Sequence, residues 1–444
     1  MPGAQRALLP AMPTTIAPDW TGARWIGSVD VALFAEGVTG TVPLVQATGY
    51  LTARLLVRDG SSVRGFVEVP IAHGALSVSA VRRAIEALPP TVATPSSPAS
   101  LPSITVVVCT RDRASFLRTA LGGIIALDYP HFDIVVVDNA PRTSETADMI
   151  RAEYASAQLT LVTEPTPGLA RARNTGLLRA TGDIVAYTDD DVLVDPLWLR
   201  ELVAGFQLGP TVECVAGLVP SGELRNQVQG YFDGRVSWSK NLTQQVFSLA
   251  APPPMSPLFP FSVGDFGTGA NFALRRETAL RMGGFDTAFG VGTSTGGGED
   301  IDMFTRVLLD QHSLVVQPTA IVWHRHRDDL DALRVQARGY GTGLGAWLTK
   351  ILLAPHSRRM VLARSPRAIL RLARMAKPAA QHNENPADDT PLAADLTKGV
   401  GWVELASVLR GPVMYARQRR AGATIMPPSA VSSTLSTRTS ESGR

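Results

Sequence analysis

Between Ser103 and Asp191 the chain alternates continuous β-branched runs with helical patterns, and nothing else in it constrains the fold as tightly. "SITVVVCT", "FDIVVVDN", "QLTLVTE" and "GDIVAYTDDDV" read as strands; "ASFLRTALGGIIAL", "TSETADMIRAEYA" and "PGLARARNTGLLRA" read as the helices between them. A strand with no polar–apolar alternation has both faces buried. Helices must then cover both sides of a largely parallel sheet. The expected fold class is α/β, and in such sheets ligands bind at the carboxyl ends of the strands.

Around this block the chain divides by composition. Residues 1–19 read as a flexible N-terminus and 20–88 as a small β-rich N-terminal domain, with "YLTARLLVRDG" and "VRGFVEVP" turning at Asp59-Gly60. A Pro/Ser/Thr linker covers 89–102. The α/β domain is expected over 103–327, a basic helical extension over 328–420 and a disordered tail over 421–444. Of the 444 residues, 45% are hydrophobic and 18% charged, which excludes wholesale disorder. No uncharged apolar run reaches the roughly 18 residues of a membrane span, and Met1–Pro18 lacks the compact apolar block of a secretory signal. Cys109 and Cys214 are the only cysteines. Both lie in apolar runs, which suits a reducing, cytoplasmic compartment and excludes a disulfide scaffold or a Cys-based zinc site.

The strand ends carry the chemistry. Thr110-Arg111-Asp112-Arg113 follows the first strand, with no G-x-G-x-x-G, so a dinucleotide site is disfavoured. Asp138-Asn139 closes the second strand and Asp189-Asp190-Asp191 the fourth. Three adjacent carboxylates repel, and a divalent cation such as Mg²⁺ or Mn²⁺ bridging to a phosphate would neutralise them; the alternative is a solvated turn. Gly296-Gly297-Gly298 runs straight into Glu299-Asp300. That pattern suits a mobile lid and a general base, although acids are also favoured at a helix N-terminus by the dipole alone. His324 and His326 alternate at the end of "LVVQPTAIVW" and raise a metal-ligand reading.

Taken together, "VVVCTRDR", "IVVVDN", "PGLARARN", "YTDDD", "GTGANFALRR", "GGFD", "GGGEDIDMFTR" and "VWHRH" resemble, in order, the motifs of family 2 inverting glycosyltransferases of bacterial type. The resemblance covers about half the chain. It implies a GT-A fold, a Rossmann-like mixed sheet flanked by helices, and transfer of a sugar from a nucleotide-diphosphate donor. Asp189 and Asp191 match the DxD pair and His324 a further metal ligand for Mn²⁺ or Mg²⁺. Asp300 matches the general base, with Glu299 as the neighbouring alternative. Thr110, Arg111, Arg113, Asp138 and Arg173, with Asp189 and Asp190, match nucleotide-sugar contacts; Gly269 and Asn271 match the acceptor and sugar pocket. The expected partners are a nucleotide-diphospho-sugar, UDP-linked first, and a glycan or lipid-linked acceptor. Two other readings of the same residues stay open: a metal-dependent phosphohydrolase, and a module that binds nucleotide or glycan without turnover.

The net charge of +3 hides an asymmetry. Residues 332–377 hold ten Lys or Arg and no acid, so the remainder is net acidic. With Trp347 among aliphatics, this stretch has the composition of amphipathic helices on an anionic membrane surface, placing the chain on the inner face of the plasma membrane. Packing against the catalytic domain is the alternative. No nucleic-acid motif accompanies the charge, so no nucleic-acid partner is expected.

Overall fold

The computed structural model describes residues 7–90, 101–363 and 399–426, apart from positions 156, 237, 238, 240, 255, 257 and 356. Most of the expected linker, the basic stretch from 364 onward and the tail from 427 lie outside the described residues.

The central sheet is built from β6 (Ile104–Thr110), β7 (Phe132–Asn139), β8 (Leu159–Glu164), β9 (Ile184–Thr188), β10 (Val192–Val194), β11 (Val212–Leu218), β12 (Gln245–Phe247), β13 (Asn271–Arg275) and β14 (Ser313–His324). Its order is β10-β14-β11-β13-β9-β6-β7-β8, with β12 on β14. β9, β6, β7 and β8 run parallel, as the βαβ alternation predicts, whereas β13 is antiparallel to both β9 and β11. Helices α2 (Ala114–Ile125), α3 (Glu145–Glu153), α4 (Leu169–Arg179), α5 (Trp198–Phe206), α6 (Gln227–Arg235), α7 (Arg276–Arg281) and α8 (Glu299–Leu309) complete the domain. Val106 and Val108 face one apolar layer with Leu117, Leu121 and Trp198; Val107, between them, faces the other with Leu177, Phe272 and Phe304. The continuous valine run is thus the imprint of a sheet covered on both sides. This parallel-rich mixed sheet is the expected fold class.

The preceding residues form β1 (Arg24–Asp30), β2 (Thr41–Pro43), β3 (Thr52–Asp59), β4 (Ser62–Pro70), β5 (Ala75–Ser77) and α1 (Val78–Glu86), with a three-stranded sheet ordered β1-β3-β4. β3 is buried on both faces. Leu55 and Val57 join Trp25, Leu76 and Val81, while Leu56 turns the other way and packs with Ile26, Leu218, Ile321 and Trp323 of the central domain. Two arginines of β3 cross the same boundary: Arg54 Nη1 lies 2.7 Å from Asp233 and Arg58 Nη1 2.7 Å from Asp195.

After β14 come α9 (Leu330–Leu353), α10 (Gly401–Val408) and α11 (Gly411–Arg420). Here the structure corrects the sequence reading. Trp347, expected at a lipid interface, is 1% exposed and packs with Phe289, Ala346 and Tyr415. Lys350, counted with the basic face, ion-pairs with Asp286 at 2.8 Å and Asp302 at 2.6 Å. An apolar helix with basic residues reads alike whether it meets lipid or protein, and α9 meets protein. The tail also begins later than expected, since Thr424 bonds to Thr287 and Met426 N donates to Gly283 O at 3.0 Å.

The glycine-rich loop before α8 is likewise no loose lid. Gly296–Gly298 lie against Gly339 and Gly343 of α9, where a Cβ on Gly343 would stand 2.6 Å from Gly297 C. Gly341 and Gly345, on another side of α9, approach the backbone of Glu404 and Val408 in α10 equally closely. These glycines permit close backbone contact.

Candidate functional site

Strand register assembles the acidic turn. β10 pairs antiparallel with β14 so that Val192 faces His324, and Arg325 N donates to Asp191 O at 3.0 Å. That pairing delivers a histidine from the far end of the domain to the Asp189–Asp191 turn. His324 Nε2 lies 3.2 Å from Asp191 Oδ1. One ligand atom each from Asp189, Asp191 and His324 falls within 4.8 Å of the others. Two carboxylates and an imidazole so placed fit Mn²⁺ or Mg²⁺, with positions left for water or phosphate oxygens. The negative Asp191 beside it raises the His324 pKa against the effect of burial. In return the imidazolium of His324, then Arg113 and Arg327, hold the Asp191 carboxyl far below its ordinary range despite burial.

Asp190 points elsewhere. It is 3% exposed, accepts from Thr110 Oγ1 at 2.7 Å and is bonded by Arg113 Nη1. Burial, and then the Asp191 charge, push its pKa up to about 7. Arg113 also donates to Asp191 Oδ2 at 2.9 Å and lies over the Phe116 ring. The end of β6 is thereby tied to the acidic turn.

On the other side of Arg173, Gly298 at φ 94° caps α8 and sets Glu299 and Asp300 on its first turn. Arg173, on α4 and 3% exposed, links the two sides. It donates to Glu299 Oε1 at 3.0 Å and to Gly269 O at 2.9 Å, and stands 3.7 Å from Asp189. Gly269 N in turn donates to Asp300 Oδ2 at 2.8 Å. Burial raises the Glu299 pKa to about 7 against the opposing Arg173 charge, and Glu299 Oε2 is buried without a hydrogen bond. Asp300 remains partly exposed.

The two remaining strand-end positions behave differently. Asp138 is 3% exposed with Oδ1 unbonded, and its pKa is raised to about 6, by burial first and then by Asp112. Arg111 stays half-buried, its nearest acid Asp112 at 3.9 Å. Asn271 departs from the pocket expectation. It is fully buried, accepts from Trp198 Nε1 at 2.8 Å and donates to Leu218 O and Ala320 O, so its polar atoms are used inside the sheet.

Sequence reasoning missed two features. Tyr340 of α9, 40% exposed, accepts from Gln336 Nε2 at 3.0 Å and lies within electrostatic reach of Asp300, Asp189 and Glu299. No sequence signal marks it. Behind His324, His326 Nδ1 lies 3.0 Å from His324 Nδ1; the H-x-H spacing was visible, but its inward direction was not.

With this geometry in hand, comparison defines the class. Residues 105–278 match the family described as glycosyl transferase family 2. Among curated relatives, the pre-mycofactocin glycosyltransferase of Mycobacterium tuberculosis is 32% identical over 244 residues, 54% of this chain and 47% of its own length. The glucosyl-dolichyl phosphate glucuronosyltransferase of Haloferax volcanii is 22% identical over 191 residues, 42% of this chain and 57% of its own. The chain therefore spans about half the length of these relatives. A solved mannosyltransferase from Pyrobaculum calidifontis, in complex with GDP-Man and Mn²⁺, is 24% identical with a TM-score of 0.47, covering 72% of this chain and 89% of that one.

Proposed function

We propose that the protein is an inverting glycosyltransferase that moves a sugar from a nucleotide-diphosphate donor, UDP-linked in the first instance, to an acceptor hydroxyl on a lipid-linked or cell-envelope glycan. The observation that carries this reading is the meeting, through Arg173, of the Asp189–Asp191–His324 cluster with the Glu299–Gly269–Asp300 group.

A bound divalent cation supplies Lewis-acid stabilisation of the leaving diphosphate. Arg173 and Arg113 add positive charge beside it. Thr110, Arg111 and Asp138 line the nucleoside end, where the unbonded Oδ1 of Asp138 is an acceptor in wait for a base N–H. On the opposite side, Asp300 removes the acceptor proton, since Gly269 N fixes its carboxylate while the group still reaches solvent. Glu299, engaged by Arg173, holds that arginine in place. A single displacement inverts the anomeric centre and needs no covalent intermediate.

The Haloferax relative's name supports a lipid-linked acceptor. No helix among the described residues is long and apolar enough to cross a membrane. Exposed Trp402, Leu405 and Leu409 on and just after α10, rather than Trp347, support contact with the inner membrane face.

The test is a thermal-shift panel of UDP, GDP, dTDP, CMP and NAD, each with and without Mn²⁺. A shift of several degrees for one nucleoside diphosphate, only with Mn²⁺, is expected. No shift with any nucleotide, or equal shifts without metal, would overturn the reading.

A further inference from the structure

A chain of hydrogen bonds leads from the candidate metal ligand into the N-terminal sheet. His324 Nδ1 lies 3.0 Å from His326 Nδ1, and His326 Nε2 2.8 Å from Ser221 Oγ. Ser221 Oγ donates to Asp233 Oδ1, and Asp233 Oδ2 accepts from Arg54 Nη1 at 2.7 Å. His326, Ser221 and Asp233 are 4%, 4% and 6% exposed. A backbone bridge between Ser221 and His324 fixes the spacing, with His324 N donating to Pro220 O and Gly222 N to His324 O. The ring of Phe232 packs at 4.6 Å on His326 and limits its rotation.

The arrangement has a direction. Asp233, paired with Arg54, can only accept, so the Ser221 hydroxyl points to it and the Ser221 oxygen is left to accept from His326 Nε2–H. His326 Nδ1 then has only a lone pair to offer, and His324 Nδ1 must carry the hydrogen between the two rings. In the neutral ring that leaves the lone pair of His324 on Nε2, the atom facing Asp191. Outer hydrogen bonds of this kind orient a ligating imidazole and raise its basicity.

We propose that Arg54 and Asp233, acting through Ser221 and His326, are positioning residues that hold His324 with Nε2 free for a divalent cation, making the N-terminal sheet a working part of the metal site. The inference rests on the metal-site reading given under Proposed function. Arg54 sits on β3 and Asp233 on α6, 179 residues apart. The sheet thus does more than cover one end of the central domain.

The test titrates the full chain with Mn²⁺ alone and follows the electron paramagnetic resonance signal of the free ion, without nucleotide or turnover. Arg54→Leu and Asp233→Asn should each weaken Mn²⁺ binding by roughly ten- to a hundredfold, the range for lost outer-sphere partners. Arg54→Lys should recover most of it. Arg58→Leu is the control: it breaks the neighbouring ion pair to Asp195 across the same boundary without touching the hydrogen-bond chain, and should leave Mn²⁺ affinity within about twofold. Unchanged affinity in Arg54→Leu and Asp233→Asn overturns the proposal, as does an equal loss in Arg58→Leu. Should Asp233→Asn fail to fold, Ser221→Ala takes its place: the same loss is expected, and unchanged affinity there overturns the proposal equally. A wild-type chain that binds no Mn²⁺ would instead overturn the metal-site reading itself.

Discussion

The two acidic clusters are built from the same residue types but divide their carboxylates by different rules. In the Asp189–Asp191 turn, the outer pair Asp189 and Asp191 joins His324, and the middle residue Asp190 is turned toward Thr110 and Arg113. The three lie in the turn between β9 and β10, and the turn sends the middle side chain to the other side. At the start of α8 the division falls between neighbours. Glu299 is buried on Arg173, and Asp300, one residue on, stays partly exposed on Gly269 N. In each cluster one carboxylate, Asp190 or Glu299, is buried on an arginine and another faces the candidate site, although Asp191 there shares Arg113 with Asp190, so a count of acids says little until the backbone is known.

The comparison breaks first at the carboxylates left to meet a ligand. Asp300→Asn should bind donor within about twofold of wild type yet lose transfer by about a thousandfold, and Asp191→Asn should lose Mn²⁺-dependent donor binding outright. Calorimetry with UDP and Mn²⁺, beside a product assay, separates the two. Retained turnover in Asp300→Asn would move the base to Glu299. Asp190→Asn should do less. The Thr110 contact survives in altered form and neither Asp189 nor Asp191 is changed, so a Mn²⁺ affinity loss of roughly tenfold or smaller is expected. A loss equal to that of Asp191→Asn would erase the distinction within the turn.

Gly343→Val tests the other cluster through its support. A side chain there meets the Gly297 backbone, and overpacking of this kind costs about 1–3 kcal/mol, read as a lower urea midpoint. Smallest of all is a pH effect. The Glu299 pKa is raised on folding from 4.5 to about 7, so the unfolded chain releases this proton more readily. Stability from this group is therefore full below about pH 4.5 and is lost as pH rises through 7. Glu299→Gln should flatten that slope in denaturant titrations between pH 5 and 8, and an unchanged slope would assign it elsewhere.

Local order was legible in the sequence, and distant contact was not. The valine runs gave away the doubly covered sheet because burial of both faces leaves no polar position in the strand. The resemblance to family 2 glycosyltransferases grouped Asp189, Asp191 and His324, and the structure brings them together at one edge of the sheet. Asn271 misled because an asparagine beside "GTGA" looks the same whether its amide meets a ligand or, as here, the Trp198 indole and two buried carbonyls. Trp347 misled because lipid and protein select the same apolar helix face. The Arg54–Asp233 pair has no local pattern that could have revealed it.

The glycine contacts of α9 give the helix two keyed sides. Gly339 and Gly343 seat it on the loop that carries Glu299 and Asp300, and Gly341 and Gly345 seat α10 upon it. Where side chains separate two elements, slack can be taken up by a change of rotamer. Here backbone meets backbone and there is no such slack. A shift of α9 along its axis by one residue would drive Tyr340 or Thr342 into a seat that admits only hydrogen. The helix can therefore sit in one notch or lift away, but it cannot slide, and the same helix joins α10 to the turn that carries Glu299 and Asp300.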